Sequence, residues 1–243
     1  MSPIMEKKFE KKTFTLEVLY HVGIYENSIH FIFDHESKKS AIIDPAWEAN
    51  RFIDKVKSQG YEITDIWLTH WHPDHMNAAD EIADKTGAKI TAGINEVPYL
   101  KLQNNVHTVN DNDEVWLGAT SARIINTPGH TAGGICFLLD GHLIAGDTLF
   151  VYGAGHCALP GGNANTFFHS LQKLKTLDDD IILHCGHDYG IEIAPTMSSQ
   201  KSGNPFLLID NEKDFVRYRN EIHDRSRQYP MAPMQKTELN NLL

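Results

Sequence analysis

The sequence predicts an α/β protein in which two β-sheets pack together and helices cover their outer faces. Three observations support this prediction. Short apolar or alternating runs, typical of strands, are interleaved with helical patterns. These runs form two similar halves, one on each side of about residue 120. Four of the strand runs end in loops that place histidine or aspartate beside glycine or proline.

The first half carries six predicted strands, at residues 14–20, 29–33, 40–43, 64–68, 89–91 and 115–117. Trp47, Phe52 and Val56 recur at helical spacing, and Gly60 follows the predicted end of that helix. A second helix is predicted at residues 74–86, with a helical turn near 95–100.

The second half carries four predicted strands, at residues 122–125, 135–139, 142–145 and 181–183. The middle two form a hairpin around Asp140-Gly141, a strong turn dipeptide. Two helices are predicted, at residues 163–176 and 214–227. Residues 200–204 are the best candidate for a boundary before a C-terminal appendage.

Composition limits the function classes. The chain has 243 residues, enough for one large domain with a small appendage, and its hydrophobic fraction of 41% is ordinary for a globular protein. Its formal net charge of −10 argues against a nucleic-acid partner, and no apolar stretch reaches membrane-spanning length. The N-terminal lysines are predicted to lie in a solvated tail with no signal peptide. Three cysteines without CxxC spacing predict free thiols and a cytoplasmic, reducing location.

The sharpest motif is the segment His70-Trp71-His72-Pro73-Asp74-His75. At the end of a strand, His70 and His72 point to one side because side chains alternate. Asp74 and His75 follow a proline that turns the chain, so Asp74 can approach the same site from another side. The spacing predicts a metal site, because histidine and carboxylate are ligands of first-row metals.

Three further loops supply the other ligands that a pair of metals needs. They are Thr127-Pro128-Gly129-His130, Ala145-Gly146-Asp147-Thr148 and Cys185-Gly186-His187. A single histidine at a strand end is more often a hydrogen-bonded structural residue. Together with the first motif, however, the loops provide six ligands and a carboxylate able to bridge, which fits two adjacent first-row metals.

The order of these motifs resembles the metallo-β-lactamase superfamily and, within it, glyoxalase II (hydroxyacylglutathione hydrolase). The resemblance covers roughly residues 14–189 and includes Gly-Asp-Thr-Leu-Phe at 146–150 and Cys-Gly-His-acid-Tyr at 185–189. It implies a four-layer αββα fold with two mixed sheets between helices. It also implies a catalytic domain at residues 1–200 and a short helical appendage at 201–243 packed on it.

The resemblance further implies a ligand set and a reaction. His70, His72 and His130 would hold one metal, and Asp74, His75 and His187 the other, with Asp147 bridging. The expected cofactors are two divalent ions, zinc first, with iron or manganese as alternatives. The expected reaction is hydrolysis of a small-molecule thioester or ester by a metal-bridging hydroxide, in which Asp74, Asp147 and Tyr189 take part.

The substrate side departs from glyoxalase II. Where that family has a basic residue and an aromatic after the Gly-Asp-Thr-Leu-Phe segment, this chain has His156 and Ala158, and its C-terminal region is shorter. Glutathione recognition is therefore expected to be weak unless Arg217 or Arg219 supplies an anchor. The spacing from His187 to the C-terminal helix resembles persulfide dioxygenases, which hold one iron. A lactonase and a non-enzymatic metal-binding protein are the remaining alternatives.

Overall fold

The computed structural model describes residues 3–227 and 229–243, and these form two mixed β-sheets. The seven strands of the first sheet lie side by side in chain order. They are β1 (Met5–Glu10), β2 (Phe14–Val22), β3 (Asn27–Asp34), β4 (Lys39–Ile43), β5 (Glu62–Trp67), β6 (Lys89–Gly93) and β7 (Val106–Val109). Neighbours are antiparallel from β1 to β4 and parallel from β4 to β7.

The second sheet has five strands. They are β8 (Glu114–Leu117), β9 (Thr120–Asn126), β10 (Ile135–Leu139), β11 (His142–Ile144) and β12 (Ile182–His184). Their order is β12-β11-β10-β9-β8, and only the pair β11 and β12 is parallel. The parallel pair places the ends of β11 and β12 at the same edge of the sheet.

Helices flank both sheets. In the described ranges the α-helices are α1 (Ala49–Ser58), α2 (Pro73–Met76), α3 (Ala79–Thr86), α4 (Ala164–Lys175), α5 (Met197–Gly203), α6 (Pro205–Leu208), α7 (Glu212–Arg217), α8 (His223–Ser226) and α9 (Lys236–Leu242). A 3₁₀ turn at Ile94–Glu96 and a π-helical turn at Tyr218–Ile222 add to them. Within the described residues, no helix has the length and apolar character that a membrane crossing requires.

Three apolar layers hold these elements together. Phe52 of α1 and Ile82 of α3 pack on the outer face of the first sheet. Between the sheets, Trp67 stacks on Phe137 with ring centroids 5.2 Å apart. Phe167 of α4 lies in the third layer, which also contains residues of the C-terminal helices. This order of helix, sheet, sheet and helix confirms the predicted four-layer fold.

Strand β2 shows how the sequence pattern sets the layers. Phe14, Leu16 and Val18 lie between the two sheets, whereas Leu19 packs in the layer beneath α1 and α3. Both faces are buried, and side chains alternate between them with a period of two. A slip of one residue would exchange the two faces, so the apolar pattern fixes the register of this strand.

The prediction of a solvated N-terminal tail is wrong. Residues of this segment form β1, which pairs antiparallel with β2 at the edge of the first sheet. Lys8 forms an ion pair with the buried carboxylate of Glu17, and Lys55 lies 2.7 Å from the same group. Charged residues suit an edge strand, which leaves one side to solvent. Because of these charges, the segment lacks the apolar pattern by which a strand is predicted from sequence.

The predicted helices also differ from those observed. The single helix predicted at 74–86 is two helices, α2 and α3. Between them, the Asn77 carboxamide oxygen accepts a hydrogen bond from the Trp47 amide at 2.7 Å, and the Ala78 amide donates to the Pro45 carbonyl. The chain therefore leaves the helical path to bind the preceding loop. The helix predicted at 214–227 begins at Glu212 and is interrupted by the π-helical turn.

The C-terminal segment packs against α4. Phe206, Phe215 and Leu239 belong to the same apolar layer as Phe167 and Leu171 of α4. The predicted domain boundary at residue 200 falls inside helix α5, which spans residues 197–203. The division of the chain into two domains at that position stays a proposal.

Three buried histidines form a cluster beneath β1. His142 Nδ1 lies 2.9 Å from His184 Nε2, and the rings of His30 and His184 are 5.9 Å apart. Phe9 packs against the rings of His142 and His184. Burial lowers the pKa of His142 to about 4 and that of His30 to about 3. The folded protein therefore keeps these imidazoles neutral at a pH where an unfolded chain would protonate them.

We expect the free energy of unfolding to fall as pH drops from about 6.5 to about 4, because the unfolded chain then binds protons that the folded chain excludes. In His142→Gln, the loss over this window should be smaller by on the order of 2 kcal/mol. Urea unfolding of both proteins across this range measures the difference. Parallel stability curves would show that His142 does not titrate with unfolding.

Candidate metal centre

The seven metal-ligand candidates predicted from the sequence lie close together at the ends of strands from both sheets. They are His70 and His72 after β5, Asp74 and His75 in α2, His130 after β9, Asp147 after β11 and His187 after β12. All are buried except Asp74, whose side chain is about one-fifth exposed. The two halves of the chain thus contribute to one site.

The ligand atoms form two triplets. Those of His70, His72 and His130 lie within 4.8 Å of one another, and so do those of Asp74, His75 and His187. In the first triplet, His72 Nδ1 is 3.0 Å from His130 Nε2. In the second, His75 Nε2 is 3.1 Å from His187 Nε2. Each triplet has the size and donor types of a first-row metal site.

Asp147 lies between the two triplets. One of its carboxylate oxygens is 3.7 Å from His130 Nε2 and 3.4 Å from His187 Nε2. The other oxygen is 3.4 Å from His75 Nε2. Gly186 allows this approach, because a Cβ at that position would lie 2.2 Å from an Asp147 oxygen. The carboxylate is therefore placed where it can contact ions in both triplets.

Outer hydrogen bonds orient four of the five imidazoles. The Nδ1 atom of His70 lies 2.9 Å from Thr69 Oγ1, and that of His75 lies 3.1 Å from Asp44 Oδ2. The Nδ1 atom of His130 lies 2.6 Å from the His156 carbonyl, and that of His187 lies 2.8 Å from the Tyr25 carbonyl. These contacts turn Nε2 toward the site. Such outer partners fix the tautomer and ring orientation of metal-binding histidines.

The polar atoms that face the centre fit a bound cation. His70 Nε2 and Asp147 Oδ1 are buried and have no hydrogen-bond partner among the described residues. Burial lowers the pKa of His72 to about 4 and that of His130 to about 3, so both are neutral and able to bind metal. Burial alone would raise the pKa of Asp147, but His187 and His75 hold it well below its usual range.

Asp44 supports the site and was not identified from the sequence. It directly follows β4 and has a left-handed φ of 52°. Its carboxylate accepts hydrogen bonds from the Thr69 amide and hydroxyl at 2.7 and 2.5 Å and also faces His75 Nδ1. Asp44, His70 and His75 form a third possible triplet. Because the Asp44 carboxylate already binds Thr69 and His75, we assign it an orienting role.

Glu96 is the other residue that sequence reasoning missed. It is fully buried in the 3₁₀ turn, and its two oxygens accept hydrogen bonds from the Trp71 amide at 2.7 Å and the Gly133 amide at 2.6 Å. Trp71 lies between His70 and His72, and Gly133 lies in the loop that carries His130. Glu96 therefore joins a ligand loop of the first half to a ligand loop of the second.

Tyr189 lies beside the second triplet. Its ring stacks parallel on that of His187 with centroids 4.8 Å apart, and burial raises the pKa of its hydroxyl.

Burial also raises the pKa of Cys157 to about 11 and that of Cys185 further. The thiolate is the nucleophilic form of cysteine, so these buried thiols are poor nucleophiles at neutral pH.

A cleft of about 420 Å³ opens onto the site. Five of the metal-ligand candidates line it, namely His72, Asp74, His130, Asp147 and His187, together with His156, Tyr189 and Arg219. A groove of about 470 Å³ adjoins it, shares Tyr189 and Tyr229 with it, and is lined by the acidic residues Glu26 and Asp188. A substrate bound at the centre can therefore extend along an acidic and aromatic surface.

Comparison with known proteins places this chain in a family. The profile of the metallo-beta-lactamase superfamily matches residues 26–187. A probable polyketide biosynthesis zinc-dependent hydrolase, BaeB of Bacillus velezensis, is 32% identical over 208 residues, which are 85% of this chain and 92% of that protein. A hydroxyacylglutathione hydrolase of Brucella ovis is 36% identical over 86% of this chain and 79% of its own length.

The solved structures agree on the fold. The crystal structure of ETHE1 from Myxococcus xanthus superimposes with a TM-score of 0.75 at 22% identity, over 98% of this chain and 96% of that one. The predicted resemblance to the superfamily and its hydroxyacylglutathione hydrolases is thereby confirmed. The chain belongs to the metallo-beta-lactamase superfamily.

Proposed function

We propose that this protein is a dinuclear metal hydrolase that cleaves a small-molecule thioester or ester, in the manner of glyoxalase II. The observation that carries the proposal is the position of Asp147, whose carboxylate contacts histidines of both triplets. In a site for one metal, the complete second triplet of Asp74, His75 and His187 would have no ion to bind. The set of donors therefore favours two metals.

The roles of the residues follow from their contacts. His70, His72 and His130 would hold one ion and Asp74, His75 and His187 the other, with Asp147 shared. When bound, such a metal pair supplies an activated water near neutral pH and a Lewis acid for the substrate carbonyl. Tyr189 lines the cleft and keeps its phenolic proton, since its pKa is raised, so the hydroxyl that donates to the Tyr25 carbonyl at 3.4 Å can turn to donate to a substrate.

The names of the relatives support hydrolysis and zinc but differ on the substrate. One group is named for hydrolysis in polyketide biosynthesis and depends on zinc. The other is named for hydrolysis of hydroxyacylglutathione. We propose zinc as the metal, with iron or manganese as alternatives. The three cysteines are free thiols, which supports a reducing, cytoplasmic location.

Metal content and substrate range test this proposal together. We expect close to two metals per chain after mild purification, and metal-dependent hydrolysis of an activated thioester. A single tightly bound iron, together with oxygen consumption on glutathione persulfide, would reject the hydrolase and favour a dioxygenase. Turnover of lactones but not of thioesters in the same panel would favour a lactonase.

The charged groups near the cleft favour weak binding of glutathione. Arg217 donates a hydrogen bond to the Leu243 carbonyl, and Arg219 is buried against Asp224. Both guanidinium groups are thus engaged within the protein. The adjoining groove carries the carboxylates of Glu26 and Asp188, of which Asp188 is also paired with His21 at 2.6 Å. Glutathione brings two carboxylates of its own, and like charges in a cleft repel.

We expect a neutral thioester to be a better substrate than its glutathione counterpart. S-lactoyl-N-acetylcysteamine and S-lactoylglutathione share the acyl group and differ in the thiol arm. The glutathione compound should have a KM higher by about tenfold, equivalent to roughly 1.4 kcal/mol. In Glu26→Gln its KM should fall more than that of the neutral compound. A KM in the low micromolar range for S-lactoylglutathione in the unmodified protein would contradict this prediction.

A further inference from the structure

The loop that follows Asp147 touches the candidate metal centre at two points. The amide of Gly155 donates a hydrogen bond to the Asp147 carbonyl at 3.0 Å, and the carbonyl of His156 accepts one from His130 Nδ1 at 2.6 Å. A Cβ at Gly155 would lie 2.6 Å from His130 Nδ1, so the loop is in close contact with that ring. Its position therefore bears on both His130 and Asp147.

This loop is held in place by the C-terminal region. Gln200 of α5 accepts a hydrogen bond from the Tyr152 amide at 2.7 Å. Asn204 donates to the carbonyls of Phe150 and Gly153 at 3.1 and 3.0 Å. Tyr152 has a left-handed φ of 56°, a conformation that costs energy for a residue with a bulky side chain. Contacts from outside the loop are thus needed to maintain it.

Arg219 supplies the contacts nearest to the metal ligands. It lies in the π-helical turn and is buried, with 3% of its surface exposed. One of its nitrogens donates to the carbonyls of Ala154 and Gly155 at 3.2 and 3.3 Å. The other forms an ion pair with Asp224, and the guanidinium lies 5.4 Å from the centroid of the Phe206 ring. The side chain is thus fixed on three sides.

We infer that Arg219 is a positioning residue for the metal centre, acting through the loop that orients His130 and Asp147. The inference rests on the proposed metal site. The guanidinium fixes the carbonyls of Ala154 and Gly155. It thereby keeps the Gly155 amide at the Asp147 carbonyl and the His156 carbonyl at His130 Nδ1. Outer contacts of this kind commonly change metal affinity by about 10- to 100-fold when they are removed. A π-helical turn is often found at a functional site, which agrees with this role.

A substrate-binding role for Arg219 fits the contacts less well. Three of its five N–H groups already serve two carbonyls and one carboxylate, so a substrate anion would have to share the guanidinium with Asp224. Removal of a substrate anchor would raise KM and leave the metals in place. Removal of a positioning residue would change the metals themselves. Metal binding therefore separates the two roles.

The test compares Arg219→Met, Arg219→Lys and the control Arg217→Met, which replaces an exposed arginine two positions away in α7. Each full-length protein is freed of metal and titrated with cobalt(II), and its visible spectrum and thermal unfolding are recorded. For Arg219→Met we expect cobalt affinity to fall at least about tenfold, with a changed spectrum in the folded protein. Arg219→Lys should restore the cobalt affinity and the spectrum only in part, because one ammonium cannot reproduce the guanidinium fork.

The outcomes are distinct. Wild-type affinity and spectrum in folded Arg219→Met would overturn the inference. If that variant does not fold, Arg219→Lys decides: a weaker, spectrally altered cobalt site supports the inference, and a wild-type site rejects it. Equal losses in the Arg217→Met control would reject it as well. Failure of the unmodified protein to bind two cobalt ions would instead reject the proposed function.

Discussion

Replacement of Asp147 by alanine is expected to lower turnover by at least about a thousandfold, equivalent to roughly 4 kcal/mol of lost transition-state stabilisation. The metal content should fall at the same time, from two ions per chain toward one or none. The reason is geometric, because the Asp147 carboxylate is the group that contacts both triplets. Elemental analysis and steady-state kinetics of the purified variant measure the two effects.

Asp140→Ala provides the control for this prediction. Asp140 lies in the turn of the same hairpin, and 77% of its side chain is exposed. Its replacement should leave metal content and turnover close to those of the unmodified protein. His142, also in this hairpin, is a poor control because it is buried against His184. Asp147→Ala with two metals and normal turnover would remove the main support for a shared carboxylate.

Glu96→Gln is expected to destabilise the protein nearly as much as Glu96→Ala, although glutamine has the same shape. Both Glu96 oxygens accept hydrogen bonds from backbone amides, at Trp71 and Gly133. Glutamine offers one acceptor and one donor, so its NH₂ group would face an amide N–H. A buried N–H without a partner costs about 1–3 kcal/mol. Urea unfolding of the metal-free proteins measures this loss.

Metal affinity should decrease in both Glu96 variants, because the loops that carry His70, His72 and His130 lose their shared support. Glu114→Gln, which changes an exposed carboxylate at the start of β8, should affect neither stability nor metal binding. If Glu96→Gln is as stable as the unmodified protein, the carboxylate does not link the two loops in the way the geometry indicates.

The fold was predictable where apolar residues repeat with a clear period. Strand β2 and helix α4 have such patterns, and both are found close to the predicted positions. Strand β1 was missed because an edge strand tolerates charge on most of its residues. The break between α2 and α3 was missed because its cause is a contact from Asn77 to the distant Trp47. Tertiary contacts of this kind leave no local pattern.

The candidate ligands were predictable because histidine and aspartate stand out beside glycine and proline in short motifs. Their supporting residues were not. Glu96 lies in a short segment of mixed composition without a motif, and only its burial between two loops shows its importance. Arg219 looks like one of several charged residues in a C-terminal helix, and its contacts with Ala154 and Gly155 span more than sixty positions.

The candidate centre also joins parts of the chain that are far apart in sequence. His75 and His187 are 112 positions apart and approach to 3.1 Å. A ligand that binds only the folded state stabilises it by RT ln(1 + [L]/Kd), about 2.7 kcal/mol at a hundred times Kd. The resistance of this protein to heat and proteases should therefore rise and fall with the concentration of free metal. Protein abundance would then report metal supply, with degradation removing chains that have lost their ions.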